Sequence, residues 1–133
     1  MDVSVEHTVT EDDIVVLVIS GPMDVATTPE LRDSLVRLID EGHHRLVLDL
    51  SGVDFIDSMG LGAIVGVVHR LRPYDGALAM AAPSAQVRHV VEITQLVRVI
   101  ALYDTTEAAV SAVRGGGATV SADRRPGEQP PAG

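Results

Sequence analysis

Four short, mostly aliphatic runs, residues 14–19, 46–50, 77–81 and 99–103, alternate with segments whose apolar residues recur every three or four positions. No other feature constrains the fold as strongly. Runs this short and this rich in β-branched residues fit buried strands. The segments between them read as amphipathic helices. Leu31, Leu35, Leu38 and Ile39 form one stripe, Leu61, Ile64, Val65, Val68 and Leu71 a second, and Val87, Val90 and Val91 a third. Upstream, Val3, Val5, His7 and Val9 alternate with polar residues, and Glu11-Asp12-Asp13 supplies a turn, so the chain opens with a β-hairpin. The predicted order is ββαβαβαβα. Crossover helices between strands imply a mostly parallel α/β sheet, and the hairpin adds one antiparallel neighbour. The expected fold is a small mixed five-stranded sheet with packed helices.

Local signals set the boundaries. Gly21-Pro22 breaks the second strand. Thr27 and Glu30 read as a capping box opening the first helix, with Pro29 tolerated in its first turn and Gly42 past its end. A second helix runs over 58–72 and stops at Pro73, Ser84 caps a third, and Asp104 with Glu107 reads as a capping box for a last helix ending near 114. Beyond it, GGGATVSADRRPGEQPPAG holds five glycines and three prolines in nineteen residues. Such a segment buries too little apolar area to offset its ordering entropy. The reading is one domain over 1–114 and a disordered tail over 115–133.

Composition narrows the function. A formal net charge of −9 argues against duplex DNA, whose binding depends on cations that neutralise phosphates. Phe55, Tyr74 and Tyr103 are the only aromatics, too few for a base-stacking platform. Direct nucleic-acid binding is therefore not expected, whereas a basic protein surface is a fitting partner. With no cysteine there is neither a disulfide nor a thiolate zinc site. No apolar run is long enough for a membrane span, and the acidic, alternating N-terminus is no signal peptide. A cytoplasmic protein is expected. All ten basic residues are arginine and asparagine is absent, a bias of GC-rich bacterial genomes.

The stretch DFIDSMGLGAIVG, residues 54–66, carries the chemistry. Ser58 follows a buried strand and precedes an apolar helix, at or next to the N-cap. A serine there can be a structural cap worth about 1 kcal/mol. The same place also tolerates a phosphate, because free N–H groups and the helix dipole point at it. Gly60, Gly62 and Gly66 each cost a helix interior about 1 kcal/mol relative to alanine. Gly66 is expected to permit tight helix–sheet packing, and Gly60, in an exposed first turn, to let a partner reach Ser58. Asp57 adjoins the serine, Asp54 lies three residues before it, and Asp24 follows the Gly21-Pro22 break. Asp24 comes near Ser58 if the second and third strands are neighbours. A phosphate brings about −1.5 to −2 charges. At about 6 Å and an effective dielectric near 20, each added charge repels a carboxylate by roughly 3 kcal/mol before screening.

These residues resemble the anti-sigma-factor antagonists of the STAS domain family. The resemblance covers residues 3–114. It rests on LSGVDFIDSMGLGAIVG, similar to the family pattern of strand, Asp-Ser, a variable residue and Gly-Leu, and on GPMD, similar to its Gly-x-x-Asp after the second strand. Met23 stands where relatives often carry an acidic or polar residue, and Met59 where they often carry Ser or Thr, which leaves Ser58 the only acceptor in its loop. The resemblance implies a substrate and not an enzyme, without a cofactor of its own. An anti-sigma factor that is a serine protein kinase, with its own ATP and magnesium, would phosphorylate Ser58. The unphosphorylated form would bind that partner and free a sigma factor, the phosphorylated form would let go, and a serine phosphatase would reset it. Asp24, Asp57, Met59, Gly60 and Leu61 would flank the phosphosite and meet the partner, and a monomer presenting one face is expected.

Other readings have weaker support. A hydrolase elbow needs Gly-x-Ser-x-Gly, and Ile56 stands at the first glycine position. His43-His44 lacks a third metal ligand, and no Walker-type loop occurs. The alternative from another class is a STAS scaffold or a nucleotide- or small-ligand-sensing module that is never phosphorylated.

Overall fold

The alternation of apolar residues along the hairpin and the continuous apolar character of the later strands are both realised in the computed structural model, which describes residues 3–115. The strands are β1 (Ser4–Val9), β2 (Val15–Ser20), β3 (Arg45–Gly52), β4 (Ala77–Ala81) and β5 (Ala101–Tyr103), and the helices are α1 (Thr28–Asp40), α2 (Ser58–Leu71), α3 (Ala85–Ile93) and α4 (Thr106–Arg114). They follow one another as ββαβαβαβα, as expected. The strands lie in the sheet in chain order, β1 antiparallel to β2 and every other pair parallel.

Strands added in one direction through right-handed crossovers put their helices on one face. The main core forms there. Leu17, Leu48, Leu78 and Met80 from the sheet meet Leu35 and Ile39 of α1, Ile64 and Val68 of α2, and Val87 and Val91 of α3. α4 covers the other face, where Ala77, Ala79 and Ala81 of β4 lie against Ala109 and Val113. Alanines on that side of β4 let the last helix approach closely, while Leu78 and Met80 fill the thicker layer opposite. β4 is thus buried along its whole length.

Several boundaries move for identifiable reasons. The fifth strand starts at Ala101 and not at residue 99, because Leu96–Arg98 forms a 3-10 turn entered through left-handed Gln95. Thr27 precedes α1 but makes no side-chain cap. Its hydroxyl donates to the Pro22 carbonyl at 2.5 Å, so the expected box with Glu30 does not form. At α4 the cap is Thr105, whose hydroxyl accepts from the Ala108 N–H, while Asp104 pairs with Arg88. Ser84 caps α3 as expected, accepting from the Val87 N–H at 3.2 Å. Apart from Gly115, the tail lies outside the described residues.

Candidate functional site

β3, the central strand, delivers the chain into a short loop that ends at Ser58, the first residue of α2. The segment after β2 runs beside that loop. The Met23 N–H donates to the Phe55 carbonyl at 2.8 Å, and the Asp57 N–H donates back to the Met23 carbonyl at 3.1 Å. These two bonds make a parallel bridge between Met23 and Ile56, both buried. They place the turn holding Asp24 against the loop holding Asp57, as neighbouring second and third strands required.

The cap of α2 is Asp57 and not Ser58. Asp57 has extended backbone, and its Oδ1 accepts from the N–H groups of Met59 at 2.9 Å and Gly60 at 3.1 Å. Its carbonyl accepts from the Leu61 N–H at 3.0 Å. A carboxylate satisfies two orphan donors and its charge suits the positive end of the helix dipole. Ser58 is therefore relieved of capping. Its side chain is exposed, and its hydroxyl makes no hydrogen bond among the described residues.

Two of the three glycines, Gly60 and Gly66, have roles different from those expected. Gly60 is buried. A Cβ there would stand 2.9 Å from the Met23 carbonyl oxygen and 3.0 Å from Cγ1 of Ile56, so the residue lets α2 start hard against the bridge and opens no path to Ser58. Gly62 and Gly66 are exposed, and a Cβ on either would meet nothing within 4 Å. Gly66 does not mediate sheet packing. Both leave a bare strip along the solvent side of α2. Leu61 is half-buried against the core.

Asp24 is turned into its own loop, its Oδ1 accepting from the N–H groups of Ala26 and Thr27 and from the Thr27 hydroxyl. Partial desolvation opposes its ionisation, but the bonds from Thr27 and Ala26 outweigh it and hold the carboxyl below the usual aspartate range. Asp54 is exposed and contributes no contact to the site.

Met59, expected to meet the partner, is 49% exposed, and beside it lie two features that the sequence did not single out as part of the site, Phe55 at 42% and Val25 at 65%, so three large apolar side chains face solvent on the loops around the serine and on its helix turn. Their signal was available: Val25 and Phe55 are apolar residues in turns with no helical or strand period to absorb them. Between the first turns of α1 and α2 runs a groove of about 360 Å³ whose wall includes Thr28, Arg32, Ser58, Met59 and Gly62. Thr28 is 4% exposed, and its hydroxyl has no hydrogen-bond partner among the described residues. Leaving such a group unpaired costs about 1–3 kcal/mol.

Other candidates do not converge on the serine. His69 lies eleven residues along α2 from Ser58, about 16 Å at 1.5 Å per residue, and its Nδ1 meets Arg72. It cannot serve Ser58 as a base. His43 pairs with Asp13 at 2.9 Å and His44 stacks on Tyr74 at 3.9 Å, so the two histidines diverge. Among the described residues no group of three or more His, Asp or Glu could hold a metal ion, and no helix is long and apolar enough to cross a membrane.

A five-stranded mixed sheet whose central strand feeds an exposed, uncommitted serine into the first turn of an apolar helix defines an α/β domain that presents a hydroxyl on an open surface. The chain belongs to the STAS domain family, whose family model matches residues 7–109. An anti-sigma-B factor antagonist of Staphylococcus epidermidis is 34% identical over 107 residues, 80% of this chain and 98% of that protein. The crystal structure of an anti-sigma factor antagonist from Mycobacterium paratuberculosis superposes with a TM-score of 0.76 at 28% identity, over 84% of this chain and 94% of that one. The Bacillus cell fate determinant SpoIIAA in its phosphorylated form shares the fold, with a TM-score of 0.65 at 22% identity over 84% of this chain and all of that one.

Proposed function

We propose that the chain is an anti-sigma-factor antagonist that docks its partner around Ser58 and is released when Ser58 is phosphorylated. The observation that carries this reading is the division of labour at the start of α2. Asp57 does the capping, so the Ser58 hydroxyl can change chemically without removing a bond the helix needs. The names of the relatives supply the partner class, an anti-sigma factor. The exposed Val25, Phe55 and Met59 supply an apolar contact surface around the serine.

In the unphosphorylated state the partner covers this surface. The partner is also a serine protein kinase and brings ATP and magnesium. The Ser58 Oγ attacks the γ-phosphorus, the bond from that phosphorus to the bridging oxygen of ADP breaks, and the hydroxyl proton passes to a base of the kinase. The new group adds about −1.5 to −2 charges beside Asp57. The complex then separates, because the added charge and bulk do not fit an apolar contact shaped around a neutral hydroxyl. A serine phosphatase restores the hydroxyl by directing water at the phosphorus, releasing inorganic phosphate. The protein works as a cytoplasmic monomer that offers one face to one partner.

The test is intact mass after incubation with the cognate anti-sigma factor and Mg-ATP. One added phosphate on Ser58 supports the reading, and an unmodified serine favours a scaffold or ligand-sensing module. Ser58→Ala should bind the anti-sigma factor constitutively and Ser58→Asp weakly; equal affinities would count against the switch.

A further inference from the structure

We infer that the groove between α1 and α2 holds the phosphate of phosphorylated Ser58 within the same molecule, with the Arg32 guanidinium and the Thr28 hydroxyl as donors. The inference deepens the reading of Ser58 as phosphoacceptor and rests on it. A phosphate at a helix start is ordinarily received by free backbone N–H groups. Here those of Met59 and Gly60 are engaged by the Asp57 carboxylate, and that of Leu61 by the Asp57 carbonyl. Of the first-turn N–H groups only that of Ser58 itself is left open among the described residues, so the phosphate draws its remaining donors from elsewhere.

The groove beside Ser58 offers two. Arg32 lines it, and its guanidinium has no hydrogen bond or ion pair among the described residues. Thr28 lines it too, four residues earlier on the same face of α1, nine-tenths buried and with an unpartnered hydroxyl. A planar guanidinium matches two phosphate oxygens at once, and the Thr28 hydroxyl, sealed from solvent as it stands, completes a third contact when its side chain turns toward the groove. The opposite wall is open at Gly62, which carries no side chain and has nothing within 4 Å of where its Cβ would be. That leaves room for the group on Ser58. Phosphorylation then does two things: it adds charge, and it braces α1 to α2 across the groove, filling the seat a partner side chain would use.

The experiment uses the full chain with phosphoserine installed at position 58 during synthesis, so it reads the clamp separately from whether any kinase modifies Ser58. The second ionisation of the phosphate is followed by 31P NMR. Asp57 opposes that ionisation, as does Asp24 on the neighbouring turn, so the quantity read is the difference between variants. With Arg32→Gln the phosphate pKa should rise by about one pH unit relative to the unsubstituted chain. Arg32→Lys should restore part of the depression, and Thr28→Val should give a smaller rise than Arg32→Gln. The same pKa in Arg32→Gln as in the unsubstituted phosphoprotein would overturn the clamp. Because Arg32 is exposed, the Gln and Lys variants keep the fold.

Discussion

The backbone N–H of Asp57 donates to the carbonyl of Met23 at 3.1 Å, across a bridge between two loops that are distant in sequence. The bond fixes the direction in which Asp57 leaves the sheet. The side chain of Asp57 then folds forward onto the first turn of α2, and the next residue, Ser58, is left facing solvent. One buried backbone contact thus decides which of two adjacent polar residues caps the helix and which is available for chemistry.

Asp57→Ala should destabilise the protein by about 1 kcal/mol, the ordinary cost of a lost N-cap. Asp57→Asn should retain most of that stability. Ser58→Ala should change it by less than about 0.5 kcal/mol. Urea denaturation of the three variants checks the assignment, and a Ser58→Ala loss as large as that of Asp57→Ala would contradict it.

Two glycines of α2 should respond in opposite directions. Gly60→Ala pushes a methyl group to 2.9 Å from the Met23 carbonyl and should cost about 1–3 kcal/mol. Gly66→Ala meets open space and should stabilise the helix by about 0.5–1 kcal/mol. Thermal melts of both variants decide the matter.

Acid should loosen the junction between α4 and the hairpin turn. The Arg114 guanidinium, with help from the Thr10 hydroxyl, holds the Asp12 carboxyl far below the usual aspartate value. A depressed carboxylate contributes stability above its unfolded pKa of about 3.9, and that contribution fades as pH falls through the lower folded value. Asp12→Asn should therefore melt below the unsubstituted protein at neutral pH, and the gap should close at acid pH. A gap that persists undiminished at low pH would contradict the sign of the linkage.

The apolar rim should matter for binding and not for folding. Phe55→Ser or Met59→Ser should weaken the anti-sigma factor complex about tenfold or more, because exposed aromatic and methionine side chains have little to lose until a partner covers them. Stability should move by less than about 0.5 kcal/mol. Calorimetric titration alongside a denaturation curve separates the two effects.

Much of this was legible in the chain alone. The element order followed from Leu31, Leu35, Leu38 and Ile39 at helical spacing and from short aliphatic runs between breakers. Ser84 was readable as a cap because capping there is local. Thr27 does not form the capping box its neighbours suggest, because its hydroxyl is drawn to the Pro22 carbonyl, a bond that exists only once the turn after β2 has closed. Gly60 and Gly66 depart from expectation for a similar reason, the first being closely packed and the second facing open space. Both look alike in sequence, but only the former faces Met23.

Periodicity, breakers and a serine at a strand-to-helix junction are short-range features, and together they encode an alternating α/β domain with Ser58 at the head of its second helix. The tertiary structure alone decided that Asp57 takes the cap, that Ser58 is left free, and that Arg32 and Thr28 from another helix share its groove. Those outcomes depend on contacts between segments far apart in the chain, chiefly the Met23 bridge and the packing of α1 beside α2, and no local pattern encodes which donor meets which acceptor across such a distance.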